Sequence, residues 1–272
     1  GIPDFRVNLP HWIDVETDRR RALRLLDLAE RMPAEELVSE VFRQRPGWTE
    51  GDVRRRTRQT LELEVRLERE VDEWLFVPTT TALPFLDLGC GSGSLLAAAA
   101  TKGRTGLGVD VSLEWLVVAR QWIIERGGTP RLAAALGEAL PVADASVDVV
   151  VSNCVINLCP DKSPVYREAF RVLRAGGRLA VSDVVAHAEL PDDVKHDLAL
   201  HAGCLAGATV RSELLQILKE AGFTNISVRA KGNSDEVITS WESKRDFESQ
   251  VFAAEVTATK PDACSSKAPC CA

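Results

Sequence analysis

The chain has 272 residues, 45% of them hydrophobic, enough apolar material for a core that needs no staples. A formal charge of −7 and a pI near 5.3 exclude a general affinity for nucleic acid or anionic membrane, because phosphate binding needs clustered, excess Lys and Arg. No apolar run approaches the roughly 20 residues of a bilayer span, and the start lacks the basic-then-apolar order of a secretory signal, so a cytoplasmic protein is expected.

Residues 14 to 75 are rich in Arg, Glu and Leu, with helical spacing in "RRRALRLLDLAERM" and "VRRRTRQTLELEVRLEREVDEWLF", broken near Pro33 and at "RPGW". Two or three amphipathic helices should result. The basic run Arg54, Arg55, Arg56 and Arg58 is followed by Glu62, Glu64, Glu68 and Glu70, so it reads as a solvated helix face. Such a preface is surface by default, with a closing lid as the alternative.

After "VPTTTALP" short apolar runs alternate with helical stretches, which is how a doubly wound, mostly parallel α/β sheet reads. Seven strands are expected, at 84–88, 105–109, 131–136, 147–151, 178–183, 224–229 and 249–258. Ser163 and Pro164 should be the N-cap and first residue of a helix that Gly176 and Gly177 end; Pro191 should open another, and Gly222 end the one carrying "SELLQILKEA". The expected organisation is a helical extension over 1–80, a Rossmann-like core over 81–190, a sheet-completing part over 191–260 and a cysteine-containing tail over 261–272.

Two features carry chemistry. "FLDLGCGSGSLLAAAA" sets Gly89, Gly91 and Gly93 between a strand and an alanine-rich helix, where positive φ and close backbone approach suit a ligand at the helix N-terminus. Ser94 stands where a dinucleotide fingerprint would have its third glycine, which weakens a nicotinamide reading. The next strand, "GLGVD", ends in Asp110, where a carboxylate can accept bonds from two ribose hydroxyls. The second feature is "SNCVINLCP", with Cys154 and Cys159 where a parallel strand should end. Seven cysteines, an odd number scattered through an α/β pattern, fit reduced thiols better than disulfides.

Glycine loop, strand-end acid and α/β alternation together resemble class I S-adenosylmethionine-dependent methyltransferases over residues 84–184. That resemblance implies cofactor contacts at Asp87, Gly89, Gly91, Gly93, Asp110 and Val111, with Glu138 near the adenine; Asn153, at the strand tip, is expected to orient the cofactor's amino acid part or the reacting centre through its amide. The run "ALPVADASVDVVVSNCVINLCPDKSPVYREAFRVLRAGGRLAVSDVV", followed by "DLALHAGCLAGA", is similar to the arsenite methyltransferase family over about residues 136–260. In that family thiols at these two places bind trivalent arsenic, which implies Cys154 and Cys204 as ligands, with Cys159 or the tail (Cys264, Cys270, Cys271) as auxiliary thiols. S-adenosylmethionine would be the cofactor, an arsenical the small-molecule substrate, and a thiol such as glutathione or thioredoxin the reductant.

The softness of thiolate agrees with this, since arsenic(III) is thiophilic. Many family members carry a further cysteine after the glycine loop, where this chain has Leu96, and residues 1–83 and "SLEWLVVARQW" match nothing in arsenic enzymes. Two other readings remain open at this stage. One is a methyltransferase of an organic molecule, with His187, His196, His201 or Asp183 as base; the other is a protein that sequesters arsenicals without methylating them.

Overall fold

The computed structural model describes residues 1–6, 9, 14–75, 84–195, 205–241 and 250–262. Cys204, His196, His201, Cys264, Cys270 and Cys271 lie outside the described residues. The chain divides into two compact units, Gly1–Pro141 and Val142–Ala272.

In the first unit three helices precede the sheet: α1 (Val15–Ala29), α2 (Ala34–Arg43) and α3 (Glu50–Leu75). Helices α1 and α3 start at residues whose side chains satisfy free N–H groups of the first turn, while α2 follows Pro33 and has its Ala34 N–H accepted by the distant Glu125 Oε1 at 3.0 Å. Asp14 caps α1 by accepting from the Thr17 N–H at 3.0 Å. Thr49 and Asp52 form a reciprocal capping box before α3, with Thr49 N to Asp52 Oδ2 at 3.0 Å and Asp52 N to Thr49 Oγ1 at 3.2 Å.

Strands β1 (Phe85–Leu88), β2 (Gly106–Asp110) and β3 (Leu132–Ala134) pair in parallel, β2 between the other two, joined through helices α4 (Ser94–Thr101) and α5 (Leu113–Glu125). Burial on both faces is why β1 reads as an unbroken apolar run with one acid. The preface packs on α5: Ala22, Leu25, Leu37, Val38 and Val41 form one buried cluster with Val117 and Val118. Phe42 stacks on Trp48 and meets Trp115 edge-on, both at 5.4 Å between centroids.

In the second unit β4 (Val147–Asn153) pairs in parallel with β5 (Leu173–Ala186), which pairs antiparallel with β8 (Val251–Thr259), itself paired antiparallel with β7 (Thr224–Ala230). The two-residue β6 (Thr209–Val210) adds to β5 in parallel and brings the described strands to one more than the seven expected. Parallel pairings predominate, as the doubly wound pattern requires.

Helix α6 (Ser163–Val172) starts one residue earlier than expected, because Asp161 Oδ1 accepts the Ser163 N–H at 2.9 Å and frees Ser163 from capping. Gly176 and Gly177 do not end that helix. They lie in a bulge of β5, where Gly176 N donates to the Lys260 carbonyl and Lys260 N to the Gly177 carbonyl. Helix Arg211–Glu220 ends as expected at Gly222, with the paired bonds Phe223 N to Leu218 O and Gly222 N to Lys219 O.

Candidate functional site

The first unit holds a backbone cradle. At the end of β1 the chain turns through Gly89, Gly91 and Gly93, all at positive φ. Gly93 has a second reason to be glycine: a Cβ there would stand 2.7 Å from Ala119 Cβ, so any side chain would push α4 off α5. A Cβ on Gly91 would meet nothing within 4 Å, which leaves its backbone open to close approach. Asp110, at the end of β2, is buried; its Oδ2 accepts the Gly91 N–H and its Oδ1 the Ser112 N–H, each at 2.8 Å. One carboxylate thereby ties the glycine loop to the turn that opens α5.

Burial raises the Asp110 pKa, opposed by these N–H donors. Asp87, inside β1, is pushed up to about 7 by burial and then by the charge of Asp110. Cys90 sits within the loop but faces the core, its Sγ where a Cβ on Gly108 would come within 2.9 Å. Burial, then Asp110 and Asp87, push its thiol well above the usual range, so it behaves as a small hydrophobe. Leu96 is buried against Gly106 and Gly108 of β2, a packing role that accounts for an aliphatic residue there. Val111 is held by its carbonyl, which accepts from Arg6 Nη1 at 2.9 Å, and Glu138 is half-buried in the turn after β3.

The second unit holds the thiol loop. Asn153 ends β4, opposite Ser182 of β5, and Cys154 follows with φ +55°, a left-handed conformation that costs a non-glycine residue about 1–2 kcal/mol. The cost is offset by fixed bonds around it. Cys154 N donates to the Ser182 carbonyl at 2.8 Å, and a short 3-10 turn over Ile156–Leu158 follows. Asn157, buried, donates its N–H to Asp183 Oδ2 at 3.1 Å and its amide to the Val184 carbonyl at 2.7 Å, which pins the loop to β5. Cys154 and Cys159 are both reduced thiols and partly exposed.

Sequence reasoning missed two residues here, Lys162 and Gly207. Lys162 is buried, and its Nζ donates to the Gly207 carbonyl at 2.8 Å. Burial lowers its pKa, opposed first by the charge of Asp183 and then by Cys159. A Cβ on Gly207 would overlap the Asn157 carbonyl oxygen at 1.9 Å, so only glycine allows residues 205–208 to lie against the Cys154–Cys159 loop. The quoted segment "AGCLAGA" carried the one available signal, a glycine three residues after Cys204. Asp183 is pushed up to about 7, chiefly by burial. It is a structural acceptor in the thiol loop, and exposed His187 packs on Phe252 at 4.7 Å.

A cradle of left-handed glycines and a strand-end carboxylate on a doubly wound sheet is the arrangement of Rossmann-like methyltransferases. A family model described as a methyltransferase domain matches residues 80–222, and the chain belongs to that family. Among curated relatives, an arsenite methyltransferase of Halobacterium salinarum is 42% identical over 181 residues, 65% of this chain and 46% of the relative. An arsenite methyltransferase of Aquipseudomonas alcaligenes is 41% identical over 151 residues, 52% of this chain and 44% of the relative. The chain thus spans less than half the length of either. The crystal structure of an arsenic(III) S-adenosylmethionine methyltransferase from Chlamydomonas reinhardtii superposes with a TM-score of 0.54 at 28% identity, covering 74% of this chain and 73% of that one. No helix among the described residues is long and apolar enough to cross a membrane.

Proposed function

We propose that this chain is the methyl-transferring part of an S-adenosylmethionine-dependent arsenite methyltransferase. The observation that carries the reading is the likeness, at about 40% identity, to enzymes named for that reaction, combined with a reduced Cys154 in a fixed left-handed turn at the end of β4. S-adenosylmethionine, when bound, supplies an electrophilic methyl on a sulfonium. The residues of the first unit fit it: Asp110 offers a carboxylate to paired ribose hydroxyls, and Gly89, Gly91 and Gly93 leave room for backbone contact with its amino acid part. Asp87 and Val111 frame this cradle, Glu138 is assigned to the adenine side, and Asn153 to the reacting end.

Trivalent arsenic is the substrate. Thiolates are the softest ligands a side chain offers, and Cys154 with Cys204, aided by Cys159, would hold it. Arsenic bound to thiols keeps a lone pair. That pair would form the new As–C bond as the methyl's bond to the sulfonium sulfur breaks, with S-adenosylhomocysteine as leaving group; no proton would have to move, so no residue of this chain is required as a general base. The arsenic rises from the trivalent to the pentavalent state, and a second round needs two electrons from an external thiol such as glutathione or thioredoxin, which places the reaction in a reducing cytoplasm. The chain's contribution is positioning and exclusion of water, effects that reach several kcal/mol, roughly 7 or more in well-oriented cases.

The test is to incubate the protein with arsenite, excess thiol and methyl-labelled S-adenosylmethionine, then separate the arsenic species. Labelled methylarsenic is expected. A folded protein that takes up cofactor and arsenite yet leaves all arsenic unmethylated would demote it to a sequestering role.

A further inference from the structure

The first six residues lie far outside the matched methyltransferase span, yet they are built into the loop that holds Asp110. Asp4 forms a parallel bridge to Ala134, with Phe5 N donating to the Ala134 carbonyl at 2.8 Å and Ala134 N to the Pro3 carbonyl at 2.9 Å, so the segment acts as an added edge beside β3. This seats Arg6, whose side chain is only 1% exposed.

Its guanidinium makes three kinds of bond at once. Nε and Nη2 reach the two oxygens of Asp4 at 2.9 Å each, and Nη1 donates to Asp18 Oδ2 at 2.6 Å and to the Val111 carbonyl at 2.9 Å. Asp18, on α1, in turn accepts the Leu113 N–H at 3.1 Å and so caps α5 from a distant part of the chain. The turn from Asp110 to Leu113 is therefore held from within by the Gly91 and Ser112 amides and from without by Arg6 and Asp18. A buried guanidinium with this many charged partners holds geometry firmly, because losing it leaves carboxylates unpaired away from water. The charge of Asp18 is itself felt at Asp110, so Arg6 also neutralises a carboxylate that would otherwise repel the ribose acid.

We propose that Arg6 is a positioning residue for cofactor binding, acting through the Val111 carbonyl and Asp18 to hold the turn that presents Asp110. This role rests on the S-adenosylmethionine reading. It predicts that Arg6→Met weakens S-adenosylhomocysteine binding about tenfold or more, that Arg6→Lys recovers part of the loss, and that arsenite affinity is untouched. In turnover, KM for the cofactor should rise while kcat stays within about twofold, the split expected when uniform binding is lost.

The measurement is calorimetric titration of S-adenosylhomocysteine into wild type, Arg6→Met and Arg6→Lys. Asp18→Asn serves as the milder variant should Arg6→Met not fold, with a weakened affinity expected there too. Wild type that takes up no S-adenosylhomocysteine would overturn the cofactor reading and this role with it. Wild type that binds, with the variants binding equally well, would overturn this role alone.

Discussion

The loop after β1 and the loop after β4 solve the same problem, presenting chemistry at a strand end, by opposite means. In the first, left-handed backbone falls on Gly89, Gly91 and Gly93, and Asp110 ties the loop down by accepting an amide at each oxygen. In the second, left-handed backbone falls on Cys154, and buried side chains tie down the loop that follows it, Asn157 and Asp183 to β5 and Lys162 to Gly207. Backbone suits a ligand recognised by shape and hydrogen bonds; a thiol whose sulfur must occupy one point needs its neighbours pinned. On the proposed function, the difference teaches that the cofactor loop is generic to a fold, whereas the substrate loop is specified by side chains near the thiol.

The contrast breaks most sharply at Cys154. Cys154→Ser should lower arsenic methylation at least about 100-fold, since hydroxyl is a poor ligand for a soft centre, while S-adenosylhomocysteine affinity measured by titration stays unchanged. An organic substrate would still turn over in that variant.

Next in size is Gly207→Ala, which sets a methyl against the Asn157 carbonyl. A loss of about 3 kcal/mol in urea unfolding is expected, with arsenite affinity reduced and cofactor affinity kept. Equal loss of both ligands would mean that the two loops are not separable.

A pH comparison sharpens the first half. Asp87 has a folded pKa of about 7 against 3.8 for the free group, so its contribution to stability is fully present below about 3.8 and is lost as pH rises through about 7. Asp87→Asn should therefore gain stability over wild type between acid and mildly alkaline solution, by about 1–2 kcal/mol, read from urea midpoints at both ends. A constant difference would mean that Asp87 ionises normally. Smallest is Thr49→Ala, which opens the capping box of α3 and should cost about 1 kcal/mol without touching either ligand.

Legibility followed the same division. The strands at β1, β2 and β4, the glycine loop and Asp110 could be read directly, because strand burial and positive φ leave local marks in residue type. The bulge at Gly176 and Gly177 could not: a glycine pair after a helix reads as a stop, and only pairing with Lys260 makes it part of β5. Lys162 was equally opaque, since a lysine beside Asp161 reads as surface until Gly207 closes over it.

The preface gave its helices but not its partner. Residues 1–83 and "SLEWLVVARQW" both looked foreign to arsenic enzymes, and α1 and α2 from the one pack in a single cluster with α5 from the other: Leu113, Trp115, Val117 and Val118 of α5 meet Leu25, Leu37, Val41 and Phe42. Two departures in sequence are a single departure in structure. Arg6 escaped notice because an isolated basic residue near a terminus has no periodicity to reveal that it will be buried.

The burial of Cys90 has a consequence under the proposed function. Its sulfur lies in the glycine loop, where a metalloid captured from the substrate pool would block the proposed cofactor cradle. Turned toward Gly108 and kept protonated first by burial and then by the carboxyls beside it, that sulfur is withheld from a thiophilic ligand.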